Sequence, residues 1–303
     1  MKNTLITVLV VGIIIGGYFI IKNYSNTSNV AKVPAALDVN IPTSEAPANP
    51  APIVQNKTET VIGRSVEGRD IIAYHFGTGD RELLLVGDIH GGYSWNTALV
   101  AFETMDYLKA NPTVVPTNIK VTVIPVMNPD GLYKATGKVG LFTPADVSKS
   151  QTVLTAGRFN ANKVDLSRNF DCNWQTNANW QNTTVSGGSA VFSEPEAKAI
   201  KNYVEINNPK AVVVWYSAAG GVYSSSCGGG VLPQTKAITD LYAKASGYKA
   251  YDNFDAYATT GDMVNWLAKI KIPAISVLLT NHTDTESTQN QKGVVSLLEY
   301  YSK

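Results

Sequence analysis

Histidine and cysteine are scarce in this chain. Among 303 residues there are three histidines, His75, His90 and His282, and two cysteines, Cys172 and Cys227. A catalytic zinc site needs three protein ligands and an open position for water, so this scarcity constrains every metal-based reading. An excess of charge is also missing. Lys and Arg total 25 against 24 Asp and Glu, and they are scattered, which excludes the electrostatic footprint of a nucleic-acid binder. No internal repeat is present. What the chain does have is 44% apolar and only 16% charged residues, enough to bury a sizeable core in one large or two small domains.

The N-terminal segment reads differently from the rest. LITVLVVGIIIGGYFII, residues 5–21, is uncharged and flanked by Lys2 and Lys22. With Thr4 it makes a helix of about 27 Å, just long enough for a bilayer core. Residues 1–22 are therefore expected to form a transmembrane anchor. A cleaved signal segment, which implies secretion, and a buried core helix are the alternatives. The next residues, Lys22, Asn23 and Tyr24, suit a signal-cleavage site poorly. Flanking lysines on both sides leave the orientation open. Residues 23–57 are rich in Pro, Ala, Asn, Ser and Thr and have few large apolar side chains, so they are expected to be a disordered linker.

The globule is expected over 58–303. IIAYHF (71–76), ELLLVGDI (82–89), KVTVIPV (120–126), AVVVWY (211–216) and AISVLL (274–279) read as buried strands. Helical patterns lie between them, at 97–111, 193–208 and 235–247. In the second, Ser193 and Glu196 suggest a capping box. Alternating strands and helices predict an α/β domain with a central mixed, mainly parallel sheet flanked by helices. In such sheets ligands bind beyond the carboxyl ends of the strands, where His90, NPDG (128–131), YSAAGG (216–221) and TNH (280–282) fall.

These segments, in this order, resemble the zinc carboxypeptidases of the carboxypeptidase A type. The carriers are the strand leading to His90, Asn128 to Gly131, Arg158 before VDLSRNF (164–170), FSEPE (192–196), the strand ending in Tyr216-Ser217, then Tyr257, Gly261 and Trp266, and last the strand ending in Leu278-Leu279. The resemblance implies one carboxypeptidase-like domain and supplies roles. Of the family's three zinc ligands only His90 remains. Tyr93 or Ser94 stands where a Glu ligand is expected, and Tyr216 where a His is expected. Leu278 occupies the position of the general base, and a leucine accepts no proton. By the same resemblance Arg168 grips the C-terminal carboxylate of a peptide, with Ser167 in place of an Asn beside it. Arg158 faces the scissile carbonyl, and Tyr257 closes over the bound end. One imidazole supplies about a quarter of the roughly 10–16 kcal/mol of a four-ligand zinc site, a dissociation constant near millimolar.

The expected function is therefore a membrane-tethered, extracytoplasmic, catalytically silent member of that family. It binds the free C-terminal carboxylate of peptides, cell-wall peptides included, with no cofactor. Two other readings stand beside it. One is an active metallo-carboxypeptidase with a non-standard zinc site, in which Asp88, two residues before His90, or His282 compensates for a lost ligand. The other is a structural or partner-binding domain with an occluded groove. His75, inside a strand, is read as structural. Cys172 and Cys227 fall near the crevice rim, and in an extracytoplasmic domain they pair as a disulfide or remain two buried thiols.

Overall fold

A computed structural model describes residues 58–303. The expected anchor (1–22) and linker (23–57) lie outside the described residues. Among the described residues no helix is long and apolar enough to cross a membrane.

Ten strands and seven α-helices succeed one another among the described residues. The first half comprises β1 (Glu59–Arg64), β2 (Asp70–Phe76), β3 (Arg81–Val86), α1 (Asn96–Ala110), β4 (Ile119–Ile124), α2 (Pro129–Thr136), α3 (Gln151–Ala156), β5 (Asn177–Trp180) and β6 (Thr183–Ser186). The second comprises α4 (Pro195–Asn207), β7 (Ala211–Ser217), β8 (Gly221–Ser224), α5 (Pro233–Ser246), β9 (Ala250–Tyr251), α6 (Met263–Lys269), β10 (Ala274–Leu279) and α7 (Ser287–Tyr301).

Eight strands form one sheet in the order β1-β2-β4-β3-β7-β10-β8-β9, and β5 and β6 form a separate hairpin. The central four, β4, β3, β7 and β10, run parallel. The sheet turns antiparallel at β2 and β1 on one side and at β8 on the other. This is the mixed, mainly parallel sheet that the apolar runs predict. Side chains alternate between faces along a strand, so a sheet covered on both sides must be apolar at every position. Leu83, Leu85, Val213, Trp215, Ile275 and Val277 face a core closed by α1, α5 and α7. Leu84, Val86, Val212, Val214 and Leu278 face a second core closed by α4 and α6.

One local expectation changes, and two further local features come only from the structure. The capping box at Ser193 is absent. Helix α4 begins at Pro195 with Glu194 as its N-cap, because the Ser193 hydroxyl instead donates to Glu194 and accepts from Asn169. NPDG is not a free turn but opens α2, with the Asn128 side chain accepting from the Gly131 N–H at 2.9 Å. Strand β3 ends at Val86, and Asp88 adopts a left-handed φ of 59°. Strand alternation, which would point Asp88 the same way as His90, therefore does not apply. The edge strands β1 and β9, and β8 beside the latter, escaped the sequence reading because none carries a long apolar run.

Candidate functional site

The four parallel strands deliver their carboxyl ends to one edge of the sheet. The loops there enclose a cleft of about 750 Å³, lined among others by His90, Arg158, Arg168, Tyr216, Tyr257 and Leu278. Two glycines make its floor possible. Gly91 has φ 43°, and a Cβ there would meet the Gly157 carbonyl at 2.4 Å. Gly261 has φ 67°, and a Cβ there would lie 2.2 Å from the Arg168 carbonyl. Each lets two backbones approach more closely than a side chain allows.

Asp165 is the hub of the floor. It is fully buried, and its Oδ2 receives Arg158 Nε at 2.9 Å and contacts Arg158 Nη2 at 2.8 Å. Its Oδ1 accepts from the Ser167 hydroxyl at 2.7 Å and the Ser167 N–H at 3.1 Å. Burial alone raises the pKa of such a carboxyl. Here Arg158, Arg168 and the Ser167 hydrogen bond outweigh burial and hold it well below the usual carboxylate range.

His90 lies over this hub. Its Nε2 is 2.9 Å from Ser167 Oγ and 3.7 Å from Asp165 Oδ1, while its Nδ1 has no partner among the described residues. Burial, with the neighbouring charge of Arg158, lowers its pKa well below the ordinary histidine value, so the ring is neutral at pH 7. Tyr216 lies beside it with ring centroids 5.5 Å apart. Its phenol is 3.5 Å from Asp262, and burial together with the Asp262 charge pushes its pKa well above 10, so it stays protonated.

Arg168 is held by its neighbour Ser167 and by strand β5. Nε donates to the Asn179 carbonyl at 3.1 Å, and Nη1 donates to the Ser167 carbonyl at 2.8 Å and to Ser167 Oγ at 3.1 Å. Its Nη2 has no hydrogen-bond partner among the described residues, and the Tyr257 ring lies 5.8 Å away. Arg158 is packed differently. Its guanidinium stacks on Trp180 at 4.3 Å and lies 5.7 Å from the Tyr93 ring. Tyr93, Trp180 and His282 thus form one wall, with Tyr93 edge-on to both neighbours.

The sequence-derived set therefore converges, with one choice resolved. Tyr93 lines the cleft, whereas Ser94 is 1% exposed, its hydroxyl unpartnered and away from the cleft. Asp88 is fully buried and does not line the cleft either. Cys172 and Cys227 form a disulfide with Cα atoms 5.9 Å apart, next to the cleft residues Asn173, Ser226 and Gly228. FSEPE turns out to be scaffold. The Glu194 carboxylate accepts from Asn160 and Asn162, and Glu196 accepts from Asn160 and from the Val66 N–H. His75 bridges Thr60 and Thr122 within the sheet, 3.0 Å from each hydroxyl. Three functional candidates escaped the sequence reading: Asp165, Trp180 and Asp262. Asp165 lies within the VDLSRNF stretch but carried no role there, and Asp262 left the signal of a helix-capping aspartate directly before the apolar stretch that opens α6.

Sheet order and cleft together define an α/β domain of carboxypeptidase-like architecture. The chain belongs to the zinc carboxypeptidase family, whose sequence profile matches residues 55–287. Over 122 residues it is 33% identical to carboxypeptidase Z of Rattus norvegicus, a match covering 36% of this chain and 17% of that protein. Over 185 residues it is 29% identical to the carboxypeptidase N catalytic chain of Homo sapiens, covering 56% and 37%. The chain thus spans much less than two thirds of either relative. Among solved structures it resembles the murein-tripeptide amidase MpaA from Escherichia coli O157, with TM-score 0.56, 19% identity and coverage of 80% and 91%. It also resembles thrombin activatable fibrinolysis inhibitor, with TM-score 0.63, 15% identity and coverage of 80% and 69%. At these identities the likeness is one of fold.

The family name implies a zinc ion, and the residues present do not fit one. Among the described residues no group of three His, Cys, Asp or Glu side chains surrounds a common point. The cleft offers a single imidazole, one of whose nitrogens is engaged by Ser167, beside two guanidiniums that oppose a dication. The Tyr216 phenol is protonated and turned toward Asp262.

Proposed function

We propose that this domain holds the C-terminal end of a peptide, cell-wall peptides included, without hydrolysing it. The carrying observation is that Arg158 and Arg168 both line the cleft close to one buried carboxylate, Asp165, with Arg168 Nη2 unpartnered among the described residues. A guanidinium so held by its neighbours is pre-oriented, and a ligand carboxylate adds a charge-assisted hydrogen bond without a new ordering cost. In this reading Tyr257, whose ring lies 5.8 Å from the Arg168 guanidinium, closes over the bound end. The chemistry of cleavage lacks its parts. Leu278 at the end of β10 can take no proton from water, and the zinc donors are missing. An open, arginine-lined cleft also favours ligand binding over the occluded-groove reading. The apolar span at 5–21 and the linker at 23–57 support a tethered, extracytoplasmic placement.

The test is fluorescence anisotropy with a labelled pentapeptide as free acid and as C-terminal amide. The free acid binds at least tenfold more tightly, and Arg168→Ala removes the difference. Equal binding of the two forms, or zinc-dependent release of the terminal residue, overturns the reading.

A further inference from the structure

The hairpin of β5 and β6 ends in a turn that neither the core nor the carboxylate reading uses. Trp180 pairs with Thr183, so Gln181 and Asn182 alone make the turn, with Gln181 at φ 53°. The turn carries Asn182-Thr183-Thr184, an asparagine followed two residues on by a hydroxyl, with no proline between them. That pattern is the acceptor for an N-linked glycan in a chain that leaves the cytoplasm, provided that it lies on the surface.

Surface placement is met. Asn182, Thr183 and Thr184 are all exposed, and none of their side chains makes a hydrogen bond among the described residues. A sugar on Asn182 Nδ2 therefore breaks no contact and meets solvent.

A second copy of the pattern, Asn281-His282-Thr283, differs in this respect. Asn281 is only half-exposed. Its Oδ1 accepts from the Thr283 N–H at 2.8 Å, the Thr283 hydroxyl at 2.9 Å and the Asp284 N–H at 2.7 Å. Its Nδ2 donates to Asp284 Oδ2 at 2.8 Å, and its backbone carbonyl accepts from the buried Asn96 side chain at 2.9 Å. A sugar there has to displace a folded-back turn. The structure thus separates two segments that the pattern alone treats alike.

The Cys172–Cys227 bridge is an independent observation about compartment. Disulfides persist in oxidising compartments, which lie on the same side of the membrane as asparagine glycosylation. The turn is also not remote from the cleft. Asn182 borders it beside Trp180, the ring on which Arg158 stacks, so a glycan here stands at the cleft mouth.

We infer that Asn182 is the acceptor of an N-linked glycan and that Asn281 is not. The donor class is a sugar carried on a polyprenyl diphosphate. The Asn182 Nδ2 bonds to the anomeric carbon and gives up one proton, the anomeric carbon–oxygen bond to the diphosphate breaks, and the lipid diphosphate leaves. No oxidant or reductant takes part.

The test is mass spectrometry of tryptic peptides from the full-length protein, purified from the cells that make it and reduced before digestion. The peptide 169–198, which holds Asn182, carries an added glycan mass, and the peptide 272–292, which holds Asn281, does not. Asn182→Gln and Thr184→Val each remove the added mass, and Thr184→Ser keeps it. All three positions are exposed, so the variants fold with an unchanged urea midpoint. An unmodified Asn182 overturns the inference, whether or not Asn23, Asn26 or Asn56, which stand in the same pattern, is modified. So does a glycan on Asn281, or an added mass on 169–198 that survives Asn182→Gln.

Discussion

Arg158 and Asp165 are joined through a single oxygen: Oδ2 of the aspartate lies 2.9 Å from Nε and 2.8 Å from Nη2 of the arginine. Both side chains are almost wholly buried, and Asp165 also holds Ser167 and neighbours His90. The cleft floor is thus organised around a carboxylate that does not itself line the cleft. The pair couples the stability of the floor to the placement of both arginines.

Removing one partner of a buried ion pair leaves the other charge uncompensated, at a cost of about 3–5 kcal/mol. Asp165→Asn is expected to lower unfolding stability by that order at pH 7, measured by urea titration. The Asp165 pKa is depressed in the folded state, so its contribution is fully present above the unfolded pKa of about 4 and declines as pH falls below it. The gap between the wild type and Asp165→Asn therefore narrows as pH falls from about 5 to about 3, by the same titration. A gap that widens on acidification contradicts the assignment.

Metal content gives a second check. With one imidazole available, the purified domain retains well under about 0.1 zinc per chain after chelator dialysis, by the about-millimolar affinity expected of a single ligand. Its melting temperature is the same with and without chelator. Stoichiometric zinc after that treatment refutes the fit argument.

Restoring the donor set should restore binding of the ion. The triple variant Tyr93→Glu, Tyr216→His and Leu278→Glu uses Tyr93 because that side chain, not Ser94, lines the cleft. Calorimetry is expected to show one zinc per chain. Any peptide hydrolysis will fall short of an intact enzyme, because the groups supporting the ligands are arranged for other partners. No gain in zinc affinity over the unaltered chain counts against the placement of these positions.

The Cys172–Cys227 bridge closes a separation of 55 residues, worth about 4 kcal/mol in the chain-entropy treatment. Reduction, or Cys172→Ser with Cys227→Ser, is expected to lower the urea midpoint accordingly. Unchanged midpoints under reducing conditions show that the bridge does not constrain the unfolded chain.

Gly261→Ala tests the close approach beneath Arg168. A Cβ 2.2 Å from the Arg168 carbonyl at φ 67° forces the loop to shift. Binding of the free-acid peptide is expected to weaken at least tenfold, alongside a loss of stability above about 1 kcal/mol. Unaltered affinity separates the Arg168 grip from its backbone support.

The apolar runs were enough to place the central strands, because a strand buried on both faces must be apolar throughout, as residues 83–86 and 211–216 are. The edge strands β1 and β9, and β8 beside the latter, carry no such run and became visible only through pairing. Motif order brought His90, Arg158, Arg168, Tyr216, Tyr257 and Leu278 to one cleft before any coordinates. Trp180 was not among them: it sits on a hairpin whose course past Arg158 no local pattern encodes. Ser193 misled because its hydroxyl had a better partner in Asn169 than the helix end.

By itself, then, the amino-acid sequence determined that the strands ending in Tyr216 and Leu278 bring a phenol and an apolar side chain, whatever they meet there. It also determined the α/β class, through the alternation of buried runs and amphipathic segments. Only tertiary structure decided which charges meet. Asp165 beside Arg158, Asp262 beside the Tyr216 phenol, and Tyr93 rather than Ser94 on the cleft wall are products of long-range packing, because the energy of a buried charge depends on neighbours that the chain brings from distant positions.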